Sequence, residues 1–393
     1  MNIFYAVDPS PNHWGLRDSQ VWHRNFYDTF REMGHTIIGF VFDFSEYNRN
    51  LDLEDPNQKA YIEEHRPELE QKLIQQVRAA HAHRPIDLFF SYFYSAHCSS
   101  PVIDEIKALG IPTVNFYCNA SYQFHLVRDL APAYDWCLVA EKFRLDDYHA
   151  VGANPYYFQE AANPGFYRPF SEPYRYDVAF VGQMYGDRPQ FIHYLHNNDV
   201  QVRVWGPNWR ESYPSSFELW RARLKRLLKG QLPHRLGRCK RKNTNGHSTS
   251  SPAQRDGATA RPRLPRRILG PPLSDQEMVR RYSESKISLG FAKCGLTYQD
   301  EAPIRQVRLR DFEATMSGAF YLMEYVEEIE AFFEVGKEVV CFEGGESLVD
   351  KARYYLKRDR EREQIKAAGR RRALNDHTWR RRFEDFFRHS GIG

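Results

Sequence analysis

Val307-Arg308-Leu309-Arg310-Asp311-Phe312-Glu313-Ala314-Thr315-Met316-Ser317-Gly318-Ala319-Phe320-Tyr321-Leu322 reads as a helix over 307–317 that ends on a glycine and feeds an apolar strand over 319–323. Glycine just past a helix supplies the left-handed turn that lets the chain reverse into the next element. Arginines occupy the first turns and a carboxylate the body of the helix. Guanidinium groups and helix-start amides are fixed donors to a delocalised anion such as a diphosphate. A carboxylate beside them suits the paired hydroxyls of a ribose. The local pattern equally allows Glu313 to do no more than pair with Arg310 three residues earlier on one helix face.

The same helix-to-strand grammar extends outward in both directions. Toward the N-terminus it continues as strands over 177–181, 201–205 and 287–290, helices over 188–196 and 275–283, and Gly182 as the turn after the first strand. Toward the C-terminus come a strand over 338–342, a helix over 347–356, and charged helices over 361–374 and 378–389. Residues 1–160 repeat the alternation: strands over 3–7, 36–42, 88–92, 113–116 and 136–139, with helices over 19–33, 58–81, 101–109 and 141–150. Strands alternating with helices give a mostly parallel sheet wound right-handedly, with ligands at the carboxyl ends of the strands. Proline and glycine at short intervals in Ala162-Asn163-Pro164-Gly165-Phe166-Tyr167-Arg168-Pro169 mark a linker. The chain therefore divides into a first Rossmann-like domain (1–160), a linker (161–175), a second Rossmann-like domain (176–375) and a C-terminal helix (376–393).

Composition fits two soluble α/β domains, since 393 residues with 42% hydrophobic content are enough for two cores. The six cysteines include no C-x-x-C pair, which points away from zinc knuckles and disulfide frameworks and toward a reducing cytoplasm. The opening Ile3–Val7 run has no basic flank and meets Asp8, so it reads as a strand rather than a signal peptide. No run of about eighteen apolar residues exists to span a bilayer. Positive charge is concentrated: between Arg221 and Arg267 fifteen Lys or Arg stand against the single acid Asp256, so the remainder of this net +4 chain is acidic. Residues 230–267, rich in Arg, Ser, Thr, Gly and Pro, cannot bury enough surface to offset their ordering entropy and read as a disordered basic insertion. The preceding Phe217, Trp220, Leu224, Leu227 and Leu228 share one helical face opposite basic residues. Residues 217–242 therefore fit peripheral contact with an anionic membrane, or else a core-facing helix. Without aromatic interleaving, the basic stretch does not read as a nucleic-acid site.

The run Arg308-Leu309-Arg310-Asp311-Phe312-Glu313-Ala314, then Ser317-Gly318-Ala319-Phe320, Gly336-Lys337-Glu338-Val339-Val340-Cys341-Phe342 and His377-Thr378-Trp379-Arg380-Arg381-Arg382, resembles the C-terminal half of the CgeB-like (spore-maturation type) glycosyltransferases. Tyr176-Asp177-Val178-Ala179-Phe180-Val181-Gly182 and Ser285-Lys286-Ile287-Ser288-Leu289-Gly290-Phe291 extend the likeness over about 176–387. The resemblance implies a GT-B fold, two facing Rossmann-like domains with a nucleotide-sugar donor on the second and an acceptor, glycan or lipid-linked, on the first. It implies donor contacts from Gly182, Arg188, Arg308, Arg310, Glu313 and Gly318, with Glu313 holding the ribose. Related enzymes carry Glu-x7-Glu; here the first position is Arg305, which leaves the role of that glutamate unfilled. No D-x-D follows a strand, so the transfer is expected to need no metal and no cofactor beyond the nucleotide-sugar co-substrate. On the acceptor side His13, in a loop with Trp14 and Gly15, and His97 are the histidines available as a base. A nucleotide-sugar epimerase and a non-catalytic nucleotide-sugar-binding protein remain as alternatives at this point.

Overall fold

The computed structural model describes residues 1–8, 17–44, 47, 51–213, 262–295, 297 and 302–393. Two six-stranded parallel sheets organise them. The first contains β1 (Asn2–Ala6), β2 (Thr36–Gly39), β3 (Leu88–Ser91), β4 (Thr113–Tyr117), β5 (Trp136–Val139) and β6 (Pro155–Tyr157), in the order β2-β1-β3-β4-β5-β6. The second contains β7 (Tyr176–Val181), β8 (Val202–Trp205), β9 (Leu269–Gly270), β10 (Ser285–Gly290), β11 (Tyr321–Glu324) and β12 (Val340–Phe342), in the order β12-β11-β10-β7-β8-β9.

Both faces of each sheet are covered, which explains why the central strands are apolar without interruption. Side chains alternate across a strand, so Ile3 and Tyr5 enter one core while Phe4 and Ala6 enter the other. Phe4 and Phe89 meet Leu69, Leu73 and Val77 of the Pro56–His83 helix. That helix starts where Asp55 accepts hydrogen bonds from the Asn57 and Gln58 amides, at 2.8 and 3.2 Å, and where Pro56 has no amide to leave unpaired. The second sheet splits Val178 and Phe180 from Ala179 and Val181 in the same way.

The opposite face of the first sheet is closed by the far end of the chain. Trp379, Phe383 and Phe386 of the Trp379–Ser390 helix lie in one core with Phe26, Phe30, Phe90, Phe116 and Phe158. Thr378 caps that helix through the Arg381 amide at 3.2 Å, and Gly391, at φ 70°, ends it. The chain thus crosses between the sheets twice, and the crossings run side by side: Ala162 N–H donates to the His377 carbonyl at 3.1 Å and Trp379 N–H to the Ala162 carbonyl at 3.4 Å. A second bridge is polar. Asp275, the first residue of the Asp275–Glu284 helix, accepts from Ser19 Oγ (2.6 Å), the Gln20 amide (3.0 Å) and Arg24 Nε (3.3 Å).

Strands β6 and β9 were not expected; three and two residues long, they carry no periodicity of their own. The basic insertion ends earlier than its composition indicates. Leu264 is buried and Arg266 donates to the Tyr213 carbonyl at 2.9 Å, which leads the chain into β9. The rest of the insertion, and residues 217–242, lie outside the described residues. The expected helix over 19–33 is a π-turn, His23–Tyr27, continued by Asp28–Glu32, and that over 141–150 opens with a 3-10 turn. No helix among the described residues is long and apolar enough to cross a membrane.

Candidate active site

In the second sheet the chain runs outward from β7 through β8 and β9 and returns to β10 on the other side of β7, which puts the topological switch point, the usual place of a ligand crevice, at the carboxyl ends of β7 and β10. Gly182 ends β7: its amide donates to the Trp205 carbonyl and its own carbonyl accepts from Trp209 Nε1, both at 2.8 Å. A Cβ at Gly206, where φ is 147°, would stand 2.1 Å from that carbonyl, so only glycine lets the two loops pack.

Arg188 begins the helix after this turn. It is buried, donates to the Gln183 carbonyl at 2.8 Å and to the Tyr185 hydroxyl, and lies 3.7 Å over the Tyr185 ring. Arg308, just ahead of the Leu309–Met316 helix, donates from its guanidinium to the carbonyls of Ala292 and Lys293 after β10. Its amide is held by Asp311 at 2.8 Å. Both guanidiniums are therefore fixed by neutral oxygens. Lys293, close by, is already paired with Asp187. Burial pushes Arg188 below its ordinary pKa, and the Arg308 charge adds to the effect. Two cations held near each other without a carboxylate among their hydrogen-bond partners form a place for an anion with oxygens to spare.

The remaining residues read from the sequence fall elsewhere around this centre. Arg310 and Glu313 pair with each other, and Glu313 is fully buried; burial pushes its carboxyl up against the pull of Arg310 and the Tyr167 hydroxyl. Arg305 pairs with Glu324 at 3.5 Å. Gly318, at φ 72°, stands at the opposite end of the helix from Arg308, about 15 Å away at 1.5 Å per residue; its place is the turn into β11. His97 does not face the crevice. It is packed in the first core among Phe44, Tyr47, Phe93 and Tyr94, and burial pulls its pKa down to about 3, which keeps the ring neutral. His13 lies outside the described residues.

Across the crevice the first sheet presents residues that the sequence reading missed. Glu141 follows β5 and Glu160 follows β6, on the same edge because the two strands are parallel neighbours. Burial raises the Glu160 carboxyl, and the charges of Glu141 and, from the second domain, Glu313 raise it further. Tyr122 lies within the field of Arg308 and Tyr185. Searching every strand's carboxyl end for polar residues, rather than the loops after β1 and β3 alone, is the signal that finds Glu141 and Glu160.

The glycosyl transferase-like family model matches residues 188–388. Among solved structures the chain is similar to a sucrose-phosphate synthase from Thermosynechococcus elongatus, at 12% identity and TM-score 0.55 over 99% of this chain and 98% of that one. It is similar to Anabaena Alr3699/HepE in complex with UDP and glucose, at 11% identity and TM-score 0.55 over 100% and 99%. AviGT4, a glycosyltransferase involved in avilamycin A biosynthesis, gives 11% identity and TM-score 0.51 over 99% and 97%. At these identities the likeness shows the fold, two facing Rossmann-like domains of the GT-B type. No curated protein sequence matches the chain.

Proposed function

The chain belongs to the glycosyl transferase-like family, and from that premise we propose how its crevice handles a nucleotide-sugar donor. The diphosphate lies against Arg188 and Arg308, the ribose is taken by Glu313 with Arg310 as its counter-charge, and Gly182 lets the backbone approach the ligand. The carrying observation is the pair of guanidiniums, Arg188 buried and Arg308 half-buried, fixed by neutral oxygens at the carboxyl ends of β7 and β10. Their charge stabilises the leaving diphosphate, so no metal is needed for that role. Within the family, the motif order around Arg308 and Glu313 supports the CgeB-like subgroup, with a glycan or lipid-linked acceptor on the first domain. The need for a nucleotide-sugar pool supports a cytoplasmic site of action.

Because Alr3699/HepE is in complex with UDP and glucose, UDP-sugars come first in the test. A thermal-shift screen of UDP-, GDP-, dTDP- and CMP-sugars and their free nucleotides, each with and without EDTA, should show one nucleotide family raising the melting temperature. The shift should be the same with chelator present. No shift with any nucleotide refutes the donor site, and a shift abolished by EDTA and restored by Mg²⁺ or Mn²⁺ refutes the metal-free reading.

A further inference from the structure

We propose that Glu324 is a positioning residue for the donor site: from the end of β11 it fixes the loop after β10 whose carbonyls aim Arg188 and Arg308; this rests on the donor reading above. The strand register brings it there. In the parallel pairing of β10 with β11, Gly290 lies opposite Met323, so Glu324 comes level with Phe291, one residue short of Ala292. Glu324 is 3% exposed, and its Oε2 accepts the Ala292 amide at 3.1 Å.

From Ala292 the hydrogen bonds run on to both guanidiniums. The Ala292 carbonyl accepts the Gln306 amide at 3.1 Å and Arg308 Nε at 3.4 Å. The Lys293 carbonyl accepts a second Arg308 N–H and the Tyr185 hydroxyl, the latter at 3.2 Å. That hydroxyl in turn accepts from Arg188. A carbonyl has two lone pairs, so each of these oxygens is fully used and neither peptide can turn without giving up a donor. The far side of the loop is clamped as well, since the Cys294 amide donates to the Ile304 carbonyl at 2.8 Å. One buried carboxylate thus acts on both cations through the backbone between them.

The other oxygen explains how a carboxylate can stand so near an anion site. Glu324 Oε1 lies 3.5 Å from Arg305 Nη2, and an antiparallel bridge joins Arg305 to Lys293. The anchor is a neutral pair, and the charge of Arg188 and Arg308 is left for the diphosphate. What Glu324 supplies is orientation: a guanidinium already held in place loses less freedom for each hydrogen bond it makes to a phosphate.

The test is calorimetric titration of the full chain with UDP, GDP, dTDP and CDP, each against its monophosphate. For the diphosphate that the wild type binds, Glu324→Ala should lower the affinity about 10-fold or more, within the range for hydrogen bonds to charge, and lower the monophosphate affinity less. The binding stoichiometry should not change. Damage to the fold would instead lower the stoichiometry and leave the ratio of the two affinities as in the wild type, and that result overturns the proposal. Glu324→Gln keeps the reach and an acceptor without the charge, and should hold the wild-type ratio within a few-fold. Glu324→Asp keeps the charge but is one methylene short, and should lose the ratio as Glu324→Ala does; these two variants decide the matter if Glu324→Ala does not fold. Arg305→Ala breaks the ion pair alone and should stay within a few-fold. A loss by Glu324→Gln or Arg305→Ala equal to that of Glu324→Asp assigns the effect to charge and overturns the route through the loop. A wild-type ratio in every Glu324 variant overturns the inference and leaves the donor reading standing. If the wild type binds no nucleoside diphosphate, the donor reading falls and this inference with it.

Discussion

The two sheets share one architecture and differ in the charged groups they place after their strands. The second presents Arg188 and Arg308, fixed by carbonyls and a phenol; the first presents Glu141 and Glu160. One edge is cationic and keeps its charge over the accessible pH range, since guanidinium does not deprotonate there, as the proposed donor site requires. The other is built from groups brought to the edge of titration by burial. The same parallel-sheet scaffold thus carries fixed charge at one edge and titratable carboxyls at the other, and the difference lies in single residues after the strands.

The largest effect tests whether the acidic edge depends on the distant helix behind it. Phe383→Ala should destabilise the protein by about 3–5 kcal/mol, read from urea unfolding, because it empties a fully buried aromatic site against Phe30, Phe90 and Phe158. A loss under about 1 kcal/mol would detach the helix from that core. Next comes the contrast between the edges. Arg188→Ala and Arg308→Ala should each weaken nucleoside-diphosphate binding about 10- to 150-fold, the equivalent of 1.5–3 kcal/mol for hydrogen bonds to charge. Glu160→Gln should leave that affinity within a few-fold, and an equal loss in all three would erase the division between edges.

The smallest effect concerns pH. The Glu160 carboxyl is held above its ordinary 4.5, at about 8, chiefly by burial. The folded state therefore binds its proton when the unfolded chain has released it, so stability is greatest below about 4.5 and declines until about 8. Glu160→Gln should flatten that decline in melting temperature across the interval. An unchanged slope would show that the carboxyl is already ionised in the folded protein.

Local patterns made much of the fold legible. The alternation of apolar strands and helices, and the glycine that turns the Leu309–Met316 helix into β11, are written in neighbouring residues. Long-range addresses are not. Nothing in the Trp379–Ser390 segment says that its aromatic face closes the first sheet rather than the second. Arg308 and Arg310 look interchangeable in sequence, yet Arg308 is extended ahead of the helix and Arg310 lies in its first turn; Arg308 meets the loop after β10 and Arg310 meets Glu313. Glu141 and Glu160 were invisible for a related reason. A lone acid after a strand has no periodicity, and the Glu313 charge that Glu160 feels belongs to the other half of the chain.

The placement of Trp379, Phe383 and Phe386 in the first core also orders the birth of the molecule. A chain growing on the ribosome emerges N-terminal end first. It completes β1 to β6 early but leaves one face of that sheet only partly covered, by Phe26 and Phe30, until all of β7 to β12 has been synthesised. The domain begun first is finished last. Its exposed aromatic face is then the surface a chaperone meets during translation, and a stop codon shortly before Trp379 strikes the oldest part of the protein while sparing the strands of the younger sheet.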